Sequence, residues 1–121
     1  MARILFVDDD HFTLETLNKS VQLFGHQAIL ATSGEQALNL AREHSPDLIM
    51  TDMMLPDMDG LALVNALRHD HSTAHIPIVM LSASPEIDIA QLSRTAGADA
   101  YLNKPIRLQQ LQEVIQKYTS S

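Results

Sequence analysis

Short unbroken apolar runs alternate along this chain with stretches whose apolar residues recur every three or four positions. Arg3 to Val7 (RILFV) reads as a strand covered on both faces, because an uninterrupted apolar run leaves no side for water. Leu14, Leu17, Val21 and Phe24 then follow helical spacing, and Gly25 stands where a helix C-cap falls. Gln27 to Ala31 is a second strand. Ser33 with Gln36 has the form of a capping box opening a helix to about His44, and Pro46 ends it. Asp47 to Thr51 (DLIMT) is a third strand that runs into Asp52. Leu55 to Gly60 (LPDMDG) is turn-rich, and Leu61, Val64 and Leu67 mark the next helix. Ile76 to Leu81 is a fourth strand. Ser84-Pro85 is a cap residue followed by proline at the first helical position, which starts a helix running to Gly97. Ala100 to Leu102 is a short fifth strand, and Arg107 to Tyr118 the last helix.

Five repeats of strand then helix at this length predict an α/β fold: a five-stranded parallel sheet, doubly wound with helices on both faces. Sheets of this kind bind ligands at the carboxyl ends of their strands, where strand order reverses. The residues to read are therefore those just past each strand. They are Asp8, Asp9 and Asp10 after the first, Asp52 after the third, Ser82 after the fourth and Lys104 after the fifth. The best chemical candidates all fall on one rim.

Composition narrows the class without naming an activity. A chain of 121 residues fits a single domain, with no linker, repeat or low-complexity tract. The absence of Cys removes disulfides, thiolate zinc sites and cysteine catalysis together. No apolar run approaches a membrane span, and the N-terminus meets acid too early for a signal peptide, so the cytoplasm is the expected compartment. A formal net charge of −7 argues against direct nucleic-acid binding, which calls for a basic face.

The acids on the rim change that picture. Carboxylates converging on one spot must take up protons or bind a cation. Oxygen donors without His or Cys favour a hard ion, Mg²⁺ or Mn²⁺. Lys104 adds a mobile positive charge and Ser82 a hydroxyl donor, each suited to a phosphoryl oxygen. Together these are the parts of a phosphoryl-transfer site, with a carboxylate as nucleophile. Asp52, at the end of the central strand, is the expected attacking group.

The chain resembles the receiver domains of two-component response regulators, the chemotaxis-type single-domain fold. The resemblance rests on VDD at 7–9, TDMMLPDMDG at 51–60, LSAS at 81–84 and GADAYLNKP at 97–105, and it covers essentially the whole chain. It implies a flavodoxin-like (βα)5 receiver spanning residues 1–121, without an output domain. It makes Asp52 the phosphoacceptor, Asp9 a direct metal ligand and Asp8 an acid acting through metal-bound water. The backbone carbonyl of Met54 would complete the metal shell. Ser82 and Tyr101 match the hydroxyl and aromatic switch residues, Lys104 matches the family lysine, and the Lys104-Pro105 bond matches the family's cis peptide. Asp10 is extra and receives no role. The implied function is acceptance of a phosphoryl group from a histidine kinase or phosphotransfer protein. The face made by the helix from Ser84 to Gly97, the fifth strand and the last helix would then switch and act on a downstream protein or output domain. The only catalysis implied is the domain's own phosphorylation and dephosphorylation.

The rival comes from a different class. Asp8-x-Asp10 also resembles the opening motif of haloacid-dehalogenase-type phosphatases, with Asp8 as nucleophile. Against it, Phe12 stands where that family has Thr or Val, no acidic pair follows Lys104, and Asp52 is left without a role. His69, His71 and His75 flank the loop before the fourth strand, on the opposite rim, and read as solvated. Asp57 and Asp59 read as turn residues. Asp99-Ala100 stands where the dimerising branch of the family has an Asp-Asp pair, so a monomer is expected for the unphosphorylated protein.

Overall fold

The computed structural model describes residues 1–83 and 96–119. Five strands form one parallel sheet: β1 (Arg3–Val7), β2 (Gln27–Ala31), β3 (Leu48–Asp52), β4 (Ile78–Ser82) and β5 (Ala100–Asn103). Four helices are described: α1 (His11–Leu23), α2 (Gly34–His44), α3 (Gly60–Arg68) and α4 (Leu108–Thr119). The helix expected from Ser84 to Gly97, with its Ser84 cap, lies almost wholly outside the described residues.

Sheet order is β2-β1-β3-β4-β5, so the direction of winding reverses between β1 and β3. Strand periodicity then divides the core into two. Leu5, Val7, Ile49, Ile78 and Met80 face α2 and α3, where Ala37, Ala41, Leu63, Val64 and Leu67 meet them. Ile4, Phe6, Leu48, Met50, Val79 and Leu81 face Leu14 and Val21 of α1 and Leu111 and Ile115 of α4. Burying each large apolar side chain contributes about 1.5–3 kcal/mol, so the three central strands, apolar on both faces, supply much of the described core's stability.

The element boundaries differ from the sequence pattern where local chemistry intervenes. β4 begins at Ile78 rather than Ile76, because Pro77 has no N–H for the ladder and the Ile76 N–H is used in a turn on the Thr73 carbonyl at 3.1 Å. β3 is shifted one residue onward and takes in Asp52. Gly25 does end α1, at φ 82, with the His26 and Gly25 N–H groups reaching back to the Val21 and Gln22 carbonyls at 2.8 and 3.0 Å. Only half of the capping box forms. Ser33 Oγ accepts from the Gln36 N–H, but Gln36 Oε1 accepts from the Thr32 N–H rather than from Ser33.

Candidate functional site

Register brings the rim residues together. Val7 pairs with Thr51, which sets Asp8 level with Asp52 across the β1–β3 switch point. Asp52 pairs with Leu81 and Leu81 with Leu102, so Ser82 stands one residue further along its strand and Lys104, just past the end of β5, two. One oxygen from each of Asp8, Asp9 and Asp52 lies within 4.8 Å of the others. Among the described residues this is the one such group of acids or histidines. His69, by contrast, caps the end of α3 ahead of β4, on the opposite rim.

The electrostatics follow from burial. Asp8 is only 3% exposed, and both of its oxygens are engaged: Oδ1 accepts the Asp10 N–H at 2.9 Å and Oδ2 accepts Lys104 Nζ at 2.7 Å. Lys104 Nζ also stands 3.2 Å from Asp52 Oδ2. Burial pushes the Asp52 carboxyl above the usual carboxylate range, helped by the charge on Asp8 and opposed by Lys104 and by the Met54 backbone N–H. For Lys104 burial opposes the charge, yet the Asp8 hydrogen bond and the Asp52 and Asp8 charges outweigh it and raise its pKa. The site thus holds one internal cation for three carboxylates, with Asp9 exposed to solvent. Oxygen donors alone, an excess of negative charge and an open side suit a hard divalent cation, and Mg²⁺ in particular uses only one or two protein carboxylates.

The remaining candidates are placed less tightly. Ser82 is 3% exposed at the end of β4. Tyr101 pairs with Met80, two residues before Ser82, so both side chains lie on one sheet face on adjacent strands. Tyr101 is half-buried against the core on that face, and its hydroxyl donates to Asn103 Oδ1 at 2.9 Å. The Lys104-Pro105 bond is cis, as the family resemblance implied. Met54 exposes 69% of its surface and forms an isolated antiparallel bridge with Asp59.

Three structural supports of the rim escape the sequence pattern. Asp10, given no role, is the N-cap of α1: its carboxylate accepts the Phe12 N–H at 3.2 Å and the Thr13 hydroxyl at 2.6 Å. The Thr13 hydroxyl is the main reason its pKa is lowered. An Asp just ahead of an apolar-periodic stretch, with Thr three residues on, was the available signal. Asp59 is the N-cap of α3, accepting the Ala62 N–H at 2.7 Å. Gly60 is required by closeness: a Cβ there would lie 2.6 Å from the Asp52 carbonyl oxygen and 2.8 Å from Met80 Sδ. No hydropathy pattern encodes that approach.

Comparison with known proteins agrees with this geometry. Residues 4–116 match the response regulator receiver domain family. The chain is 33% identical over 115 residues to the polar-differentiation response regulator DivK of Brucella ovis, covering 95% of this chain and 94% of that one. The structure resembles the chemotaxis response regulator CheY4 of Vibrio cholerae with a TM-score of 0.91, 29% identity and 98% coverage of both chains. It also resembles the receiver domain of the sensor histidine kinase PA1611 of Pseudomonas aeruginosa PAO1, with a TM-score of 0.90 and 27% identity over 99% of this chain and 98% of that one. That receiver was solved with a magnesium ion coordinated in its active-site cleft. Nothing in these matches supports the phosphatase alternative.

Proposed function

This chain belongs to the response regulator receiver family of two-component signalling, and we propose that it takes a phosphoryl group from a histidine kinase or phosphotransfer protein onto Asp52. The observation that carries the proposal is the meeting of Asp8, Asp9 and Asp52 within 4.8 Å, with Lys104 Nζ 3.2 Å from the Asp52 carboxylate. A divalent cation, Mg²⁺ or Mn²⁺, held by Asp9, Asp52 and the Met54 carbonyl, with Asp8 acting through water, would neutralise the carboxylates and offset charge on the incoming phosphoryl oxygens. Asp52 Oδ attacks phosphorus, the O–P bond forms as the donor imidazole's N–P bond breaks, and the imidazole takes up a proton. Lys104 then exchanges a carboxylate partner for a phosphoryl oxygen, and the Ser82 hydroxyl donates to another.

Ser82 and Tyr101 share a sheet face, so a Ser82 side chain drawn toward the phosphoryl group leaves space on the side where Tyr101 lies. That movement is the switch that a partner reads on the surface around β5 and α4. Hydrolysis of the acyl phosphate by water resets it, and no further catalysis is assigned. The exposed Met54 side chain offers that water no hydrogen bond. A Met54→Asn variant is expected to lose phosphate faster than the parent in a phosphate-release assay.

The unphosphorylated protein is read as a monomer, a reading supported by Asp99, whose carboxylate is already held by Arg68 and the Ile78 N–H, both at 2.8 Å. A net charge of −7 supports action through protein contact rather than nucleic acid. The cytoplasm, where the ATP that charges a histidine kinase is found, is the compartment this function requires. Among the described residues no helix is long and apolar enough to cross a membrane.

Intact-mass measurement after incubation with acetyl phosphate and Mg²⁺ tests the proposal. A gain of one phosphoryl group is expected, lost without metal and lost in Asp52→Asn. A parent that binds Mg²⁺ yet never gains mass from acetyl phosphate or from any histidine phosphodonor overturns it.

A further inference from the structure

The loop from Met53 to Asp59 leaves the acceptor strand and reaches across to a helix it does not precede. Asp57 Oδ1 accepts the Gly34 N–H at 2.8 Å, and Asp57 Oδ2 accepts the Glu35 N–H at 2.9 Å. These are the first two residues of α2, more than twenty positions earlier in the chain. The bidentate fit satisfies two of the four N–H groups that a helix start leaves without partners. It also places a negative charge at the positive end of the helix dipole. Ser33 caps the third of these groups, the Gln36 N–H, from the helix's own side, so the start of α2 has a local cap and a distant one.

Met58, next to Asp57, seals the same contact. A Cβ on Gly34 would fall 2.5 Å from both Cγ and Sδ of Met58, so the glycine makes room for that side chain over the helix start. The loop is closed at its other end as well. Met54 and Asp59 form an antiparallel bridge, and the Gly60 N–H donates to the Met53 carbonyl at 2.6 Å. Met54, two residues past Asp52, begins the bridged span, and its backbone N–H opposes the rise in the Asp52 carboxyl's pKa.

We infer that Asp57 is a positioning residue for the acceptor site: by tying the β3–α3 loop to the N-terminus of α2, it holds the Met54 peptide in place against Asp52. The inference rests on the reading of Asp52 as acceptor and of the Met54 peptide as part of its cation shell. Without the tie, the six-residue span from Met54 to Asp59 keeps its bridge but loses the contact that fixes its height over the rim. The backbone groups around Asp52 then sample positions that no longer meet a cation and a phosphoryl group together.

The test separates positioning from simple helix stability. Mg²⁺ affinity by calorimetric titration and the initial rate of phosphorylation by acetyl phosphate are measured for the parent, Asp57→Ala, Asp57→Asn and Ser33→Ala. All are held at a temperature where circular dichroism shows them folded. Loss of a group that orients a metal's ligands typically costs about 10–100-fold in affinity or activity, so Asp57→Ala is expected to lose at least about 10-fold in both readouts. Asp57→Asn, whose amide oxygen accepts only one of the two N–H groups, falls between. Ser33→Ala loses the local cap of α2 but not the tie, so it melts earlier than the parent while keeping the parent's affinity and rate. Parent-like affinity and rate in Asp57→Ala overturn the inference, as does an equal loss in Ser33→Ala. Should Asp57→Ala not fold, Gly34→Ala, which drives Met58 off the helix start, decides the matter on the same two readouts. A parent that binds Mg²⁺ but is never phosphorylated contradicts the proposed function instead, and the affinity arm still judges Asp57.

Discussion

Replacing Lys104 with Met keeps most of the side chain's volume and removes the only cation the site holds among the described residues. Two attractions are lost. At an effective dielectric of about 20, unit charges at 2.7 Å attract by about 6 kcal/mol and at 3.2 Å by about 5 kcal/mol. Most of that offsets the cost of bringing the charges out of water. Removing one partner of a fully buried pair costs about 3–5 kcal/mol, and the Lys104 side chain is 24% exposed, so about 2–3 kcal/mol is expected at pH 7. For a domain of this size that lowers Tm by roughly 10 °C.

Two features set this loss apart from ordinary core damage. It shrinks as the pH falls and Asp52 protonates, because part of what is being lost is the neutralisation of its charge. It is also partly reversed by Mg²⁺, which binds the variant more tightly than the parent because it no longer competes with an ammonium for Asp8 and Asp52. Thermal melts with and without Mg²⁺ at pH 5 and pH 7 measure all of this. Phosphorylation, by contrast, is expected to fall by about 100-fold even at saturating Mg²⁺, since the proposed role of Lys104 is to donate to the transferring group. A Lys104→Met protein that melts with the parent at pH 7 without Mg²⁺, and is phosphorylated at the parent's rate, refutes the reasoning.

Other outcomes follow from named contacts. Gly60→Ala sets a methyl 2.6 Å from the Asp52 carbonyl oxygen, so a cost of about 1–3 kcal/mol in urea unfolding is expected together with slower phosphorylation; a silent substitution means the strand end gives way freely. Arg68 donates to the carbonyls of Gly97, Ala74 and Ile76 and to Asp99, far from the rim, so Arg68→Ala is expected to cost about 2–4 kcal/mol while leaving the phosphorylation rate of the folded fraction unchanged. A rate that falls with stability there counts against that separation. The pKa of Asp52 is raised in the folded state, so its contribution to stability is present below the unfolded value near 3.9 and is lost as pH rises through the folded value. Asp52→Asn removes that loss, and its advantage over the metal-free parent in urea unfolding is expected to be larger at pH 7 than at pH 4; an advantage that does not change with pH rejects the titration.

Much of the fold and of the candidate site is legible in the sequence, and the reason is physical. A parallel strand buried on both faces must be an apolar run, and the polar residue that ends it must stand on the rim. Asp8, Asp52 and Ser82 are legible for that reason. The register that sets Asp8 level with Asp52 needs no information beyond strand lengths and the order of the sheet. What escaped the pattern depends on contacts between distant segments or on single backbone groups. Pro77 trims β4 through a missing N–H. Asp57 looks like a turn residue because its partners at Gly34 and Glu35 belong to another element. Gly60 looks like one more turn glycine until the Asp52 carbonyl is seen beside it. Asp10 is hidden by its neighbours: in a run of three acids the third reads as redundant, yet it accepts from the first turn of α1 while Asp8 accepts from Lys104.

Locating the phosphoryl group by chemistry would be the most searching measurement. Borohydride reduces an aspartyl phosphate to homoserine, so treatment after acetyl phosphate and Mg²⁺, followed by peptide mapping, marks the residue that carried it. Homoserine at position 52, and at no other acid of the rim, is the expected result. Homoserine at position 8, with Asp52 unmodified, contradicts the assignment and makes Asp8 the nucleophile.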